Sequence, residues 1–226
     1  MAITDINITT ASGYKTVKDE STALPQRNTM AFTGSGVSAF DNGTTTVINI
    51  PGYPATINYG LFAQTANSPT LTASTAEATL IDGGAGSLSV PANGFAVGDS
   101  FQVSMGGMIS ARNNDTITIR LKTGSVILAN SGPLTLPVIN NQVWYLTAQF
   151  TVRSIGAAGV ASIVSIAQFH ILKAASGTQQ GFAWNTVNNT TFDTTVSNTL
   201  NITGQFSSNS SSNSIYSDLF ILNKIY

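Results

Sequence analysis

Hydrophobic and polar residues alternate in short runs along most of the chain beyond residue 59. The clearest run spans residues 116–122, where Ile117, Ile119 and Leu121 alternate with threonine, arginine and lysine. A period of two places successive side chains on opposite faces of a β-strand. We therefore predict that these three residues face a core.

Similar runs, separated by glycine, asparagine or proline, predict a series of strands. These predicted strands span residues 61–64, 78–80, 86–90, 100–110, 115–122, 125–130, 143–153, 161–172, 182–186, 198–205 and 214–226. No run has the i, i+3, i+4, i+7 spacing of an amphipathic helix. The pattern predicts an all-β fold, an antiparallel jelly-roll-like sandwich.

A hairpin is predicted upstream of this sandwich. Residues 37–40 and 44–50 flank the pair Asn42-Gly43, which favours a two-residue turn with positive φ. Prolines and a glycine at 51–54 then interrupt the pattern. We predict an N-terminal arm and hairpin over residues 1–55, with one short strand near 14–17, and a sandwich domain over residues 56–226.

The composition narrows the classes of partner. Charged residues make up 8% of the chain, against about 25% in an ordinary soluble domain. A formal net charge of −1 gives no electrostatic attraction to nucleic acid or to an anionic membrane. The first ten residues lack the pattern of a signal peptide, and no apolar run is long enough to span a bilayer. We expect neither a nucleic-acid nor a membrane partner.

Candidate catalytic groups are few. The chain has no cysteine and one histidine, His170, which the alternation places on the strand face opposite Phe169 and Ile171. The two glutamates, Glu20 and Glu77, lie in segments expected to be arm or loop, where a glycosidase pair is not favoured. We expect no enzyme activity, no cofactor and no metal site, with calcium at the aspartate-containing loops as the open alternative. The aspartates fall mostly at turn positions, where they cap backbone amides: Asp41, Asp82, Asp99, Asp115, Asp193 and Asp218.

The basic residues of the sandwich are spread over several predicted strands, and only two of them share one solvent-side face, Arg120 and Lys122. A patch for an acidic glycan, a solvated strand face and a subunit contact are the alternatives for this set. Its members are Arg112, Arg120, Lys122, Arg153 and Lys173.

Several short segments resemble parts of viral appendage proteins. One set is similar to a cassette in tailed-phage fibre and appendage proteins: residues 17–27, 31–37 and 41–47. A second set is similar to trimeric jelly-roll heads of phages and large DNA viruses: residues 106–110, 117–122, 150–156 and 191–195. The resemblance implies a structural virion surface protein of the fibre, decoration or cement type, with an N-terminal anchor and a trimeric head.

The resemblance also implies partners and a location. We expect the chain to assemble in the host cytoplasm as a homotrimer and to bind capsid or tail proteins on the virion surface. The candidate attachment residues lie in the arm: Tyr14, Val17, Lys18 and Asp19. Aromatic residues of the predicted strands are candidates for the seam between copies, with the interior of the sandwich as the alternative: Phe169, Tyr216 and Phe220.

The alternative function is the receptor- or glycan-binding head of a tail fibre. Its partner would be a glycan on the host surface. This function requires an exposed aromatic residue or a polar groove, which we place near residues 113–115 or 179–186, around Trp184.

Overall fold

The computed structural model describes residues 60–173 and 177–226, together with the backbone of four short strands within residues 18–49. Contacts between Cα atoms divide the chain into Met1–Asn58 and Tyr59–Tyr226. The sequence placed this division between residues 55 and 56. All the regular secondary structure of the described residues is β.

The four short strands of the first unit form two antiparallel pairs. Strand β1 (Lys18–Asp19) pairs with β2 (Thr22–Ala23), and β3 (Ser38–Asp41) pairs with β4 (Thr46–Asn49). The second pair is the predicted hairpin. The innermost described pair joins Asp41 to Thr46, and the turn predicted at Asn42-Gly43 lies outside the described residues. The strand predicted near 14–17 lies outside the described residues.

The second unit is built from short and long strands that all pair antiparallel. Their bounds are β5 Gly60–Gln64, β6 Leu71–Thr72, β7 Ala78–Thr79, β8 Gly84–Gly86, β9 Ser89–Val90, β10 Ser100–Ala111, β11 Thr116–Thr123, β12 Val126–Asn130, β13 Leu134–Thr135, β14 Ile139–Ser154, β15 Ser162–Leu172, β16 Gln179–Asn189, β17 Asn198–Phe206 and β18 Ser214–Lys224.

These strands form two sheets. The larger has the order β16-β15-β14-β10-β18-β5-β8, with β6 also paired to β18. The smaller has the order β12-β11-β17-β7, with β13 on β11 and β9 on β17. Strands that are remote along the chain pair with each other: β18 with β5 and β10, and β17 with β11. This nested pairing confirms the predicted antiparallel jelly-roll-like sandwich, while β14, β15 and β16 form a simple meander.

The core lies between the two sheets. Ile117, Ile119 and Leu121 of β11 are completely buried, as their alternation predicted. From the larger sheet, Trp144 and Phe169 pack with ring centroids 5.6 Å apart. Such aromatic pairs add about 0.5–1.5 kcal/mol to the free energy gained from burial alone.

One bulge in the larger sheet requires a glycine. In β18, Asp218 is an extra residue between the partners of Gly106 and Gly107. The backbone of β18 approaches Gly107 so closely that a Cβ there would lie 2.1 Å from the carbonyl oxygen of Tyr216. That same carbonyl accepts a hydrogen bond from Trp144 Nε1 at 3.1 Å. Gly107 therefore permits a bulge that the buried indole stabilises.

We predict that Gly107→Ala lowers the free energy of unfolding by at least about 2 kcal/mol, because the new methyl group overlaps backbone that cannot move independently. Gly83→Ala is the matched control, since nothing lies within 4 Å of a Cβ at that position. It should change stability by less than about 0.5 kcal/mol. Chemical denaturation measures both, and equal effects of the two variants would contradict this role for Gly107.

Candidate functional site

The outer face of the larger sheet is a surface without formal charge at its centre. Three rows of paired residues cross five neighbouring strands, and with histidine neutral none of their members is charged. The rows are Gly181, His170, Tyr145, Gly106 and Leu219; then Ala183, Gln168, Thr147, Ser104 and Ile221; then Asn185, Ile166, Gln149, Gln102 and Asn223. We call this surface the neutral face.

The neutral face and the rows that adjoin it are together large enough for a stable protein contact. One further row lies on each side of the three, containing Met108 and Val143 at one end and Ser100 and Thr151 at the other. With strands about 4.8 Å apart and rows about 6.7 Å apart, five strands and five rows cover roughly 800 Å². A standard protein–protein interface buries about 800 Å² on each partner.

Large apolar side chains are exposed on this face. Tyr145, Ile166 and Leu219 are 56%, 52% and 45% exposed. The Tyr145 ring lies over Gly106, where a Cβ would be 3.2 Å from its Cδ1, and the imidazole of His170 lies over Gly181, where a Cβ would be 2.9 Å from Nδ1. Each ring covers a glycine of the next strand. Cross-strand packing therefore determines the shape of this surface.

Charged side chains lie at the margins of the neutral face. Arg153, near the end of β14, donates a hydrogen bond from Nη1 to Asn188 Oδ1 at 2.9 Å. Asp218 is exposed in the β18 bulge. The centre of the face is therefore polar through hydroxyl and amide groups and apolar through the side chains named above.

The outer face of the smaller sheet has the opposite character. Glu77 Oε1 accepts hydrogen bonds from Lys122 Nζ at 2.8 Å and from Thr203 Oγ1 at 2.6 Å. Arg120 Nη1 lies 3.4 Å from Glu77 Oε2. Burial raises the pKa of Glu77, but the hydrogen bonds from Lys122 and Thr203 and the charge of Arg120 outweigh it and hold that pKa below its usual value. As predicted, Arg120 and Lys122 share a solvent-side face.

Two of the residues predicted for the seam between copies are interior. Phe169 and Phe220 are completely buried within one chain, so the expectation that they meet another copy is wrong and the interior alternative holds. Tyr216 is half-buried and pairs with Met108 at the margin of the neutral face. His170 is on the outer face, opposite Phe169, as the alternation indicated.

The predicted attachment residues lie in the first unit. Tyr14 and Val17 are outside the described residues. Lys18 and Asp19 form β1, of which the structure describes the backbone. Their role in attachment stays a prediction.

Trp184 is not an exposed binding platform. Residues 179–186 belong to strand β16, and Trp184 is partly buried against the core. Its Nε1 is buried and has no hydrogen-bond partner among the described residues. The expectation of an exposed aromatic groove at this position is wrong, because Trp184 points inward opposite Ala167.

A groove of about 550 Å³ lies at the other predicted position, beside residues 113–115. Arg112, Asn113, Asn140 and Ser212 are among its lining residues, with Val138 exposed on its wall. The groove is formed by the connections that follow β10, β13 and β17. We call it the end groove.

A buried carboxylate joins the first and last of these connections. Asp115 accepts hydrogen bonds from Arg112 Nη2 at 2.9 Å, Ser208 Oγ at 2.6 Å and Asn213 Nδ2 at 2.8 Å. The bonds from Arg112, Ser208 and Asn213, together with the Arg112 charge, outweigh burial and lower the pKa of Asp115 to about 2. The sequence predicted Asp115 only as a turn residue, since Ser208 and Asn213 are remote along the chain.

Within residues 60–173 and 177–226 there is no group of three or more histidine, cysteine, aspartate or glutamate side chains that could hold a metal ion. The described part of the chain also contains no helix long and apolar enough to cross a bilayer. No protein-family model, curated protein or solved structure matches the chain significantly.

We predict that Asp115→Asn lowers the midpoint of thermal unfolding by several degrees at pH 7, and that the difference from wild type narrows as the pH falls. A carboxyl whose pKa is depressed from 3.8 to about 2 by folding stabilises the protein fully above the unfolded value and loses this effect as the pH falls toward the folded one.

Thermal unfolding measured from pH 7 to about pH 2 tests this prediction, over the window set by the two pKa values. Asp82→Asn is the matched control, because the Asp82 carboxylate accepts no hydrogen bond from a described residue, and it should have little effect. A difference between Asp115→Asn and wild type that does not depend on pH would contradict the assignment.

Proposed function

We propose that the chain is a structural virion surface protein, a decoration, cement or head-fibre module, that acts as a homotrimer. The observation that supports this function is the neutral face. The centre of one outer face of the sandwich has no charged residue in three rows that cross five strands, while the other outer face has Glu77 paired with Arg120 and Lys122.

Association of identical chains favours a neutral surface. Near a symmetry axis each side chain lies close to its own copies, so a charged residue there faces a like charge. Bringing like charges together in an interface costs several kcal/mol. Hydroxyl and amide groups avoid this repulsion, and Tyr145, Ile166 and Leu219 supply apolar area that would leave water.

The number of copies is proposed from the resemblance to trimeric heads. In this arrangement three sandwiches associate through their neutral faces, and residues 1–55 bind capsid or tail proteins. The role is mechanical, and the proposal includes no catalytic step.

We predict that Thr147→Glu prevents self-association without unfolding the chain. Thr147 is exposed in the middle row of the neutral face, so each copy would bring an unpaired carboxylate into the contact. Sedimentation equilibrium should give wild type a mass three times that of the 23.5 kDa chain and the variant the mass of one chain, with circular dichroism unchanged.

Thr118→Glu is the matched control for this experiment. Thr118 lies on the outer face of the smaller sheet, paired with Gln205, and the variant should keep the wild-type mass. A wild-type protein that stays monomeric at micromolar concentration would overturn the trimer, and a trimeric Thr147→Glu variant would exclude the neutral face as the contact.

A separate experiment tests the proposed location of the chain on the surface of the virus particle. Cryo-electron microscopy of particles that contain the chain should show groups of three sandwiches on the outer surface. Density for the chain inside the particle, or its absence from purified particles, would overturn the virion role.

A further inference from the structure

We propose that the end groove is a binding site for a neutral saccharide. This inference goes beyond the structural role, because a trimer held by its neutral faces does not need the groove. The volume of about 550 Å³ lies within the range of roughly 300–1,000 Å³ that is typical of small-molecule sites.

The walls of the groove are held rigidly. Asp115 ties the connection after β10 to Ser208 and Asn213 in the connection after β17. A second bond between these connections runs from the backbone N–H of Arg112 to Asn213 Oδ1 at 3.0 Å. The N–H of Asn114 donates to the carbonyl of Leu136 at 3.0 Å. This bond also holds the connection after β13 in place. A site whose walls are already ordered loses little entropy when a ligand binds.

Free polar groups line these ordered walls. The side chains of Asn113, Asn140, Ser211 and Ser212 are exposed and form no hydrogen bond to any described residue. An amide or hydroxyl group both donates and accepts hydrogen bonds, as a sugar hydroxyl does. Val138 is 60% exposed beside them and provides an apolar surface for the C–H groups of a sugar ring.

The charge balance of the groove favours a neutral ligand. The Arg112 guanidinium is paired with the Asp115 carboxylate at 2.9 Å, so together they have no net charge for an acidic sugar to neutralise. Arg112 is 58% exposed at its side chain and uses Nη2 for this pair. Its other N–H groups form no bond to the described residues and can donate to two neighbouring hydroxyls of one sugar.

The full chain can be tested by saturation-transfer NMR with methyl glycosides of glucose, galactose, mannose, N-acetylglucosamine and N-acetylgalactosamine. Glucuronic acid and N-acetylneuraminic acid serve as acidic probes. We expect saturation transfer to at least one neutral glycoside, with weaker transfer to both acids. Titration of that glycoside should show roughly 3- to 10-fold weaker binding for Asn113→Ala and for Asn140→Ala, the loss expected for one neutral hydrogen bond.

Asn67→Ala is the matched control, since Asn67 is exposed, forms no hydrogen bond to a described residue and lies outside the groove. It should bind as wild type does. The proposal is overturned if no neutral glycoside receives saturation, if the acids are preferred, or if the groove variants and Asn67→Ala bind equally well. The trimer mass is measured separately, so failure here leaves the proposed function standing.

Discussion

The structure depends on the burial of one face of each long strand between two sheets. Along β15, and along β14 from Trp144 onward, every second side chain enters the core, including Trp144 and Phe169. The residues between them, among them Tyr145 and His170, must then face outward from the larger sheet. The burial that forms the sandwich therefore also determines which side chains make up the neutral face.

The strands that the sequence predicted best are those with long, strict alternation. Residues 115–122 correspond to β11 and residues 161–172 to β15 within about a residue at each end. Two-residue strands show no period, and β6 and β13 were missed, although the predicted strands 78–80 and 86–90 overlap β7 and β9, which are equally short. The sequence could not predict which face of β18 points to the core. Leu219 and Ile221 lie on one face, and they are as apolar as Phe220 and Leu222 on the other. The tertiary register, which pairs Phe220 with Met105, decides it.

The candidate sites also differed in how well the sequence predicted them, depending on whether their contacts are local along the chain. The solvent-side position of Arg120 and Lys122 followed from local alternation. The network at the end groove joins Asp115 to residues 93 and 98 positions away, and no local pattern indicates such contacts. The sandwich thus separates two surfaces of different chemistry: a broad neutral face suited to copies of the chain, and a rigid polar groove at the ends of the strands.

If copies of the chain cover the neutral face as proposed, Tyr145 lies inside the contact and loses its access to solvent. Tyr145 is 56% exposed in a single chain, and Tyr226, at 81%, is the internal reference. Nitration of both residues, followed by mass spectrometry over a series of protein concentrations, measures their accessibility. We expect Tyr145 to become protected as the protein associates, while Tyr226 stays reactive. A ratio of Tyr145 to Tyr226 nitration that stays constant over the whole concentration series would contradict this contact.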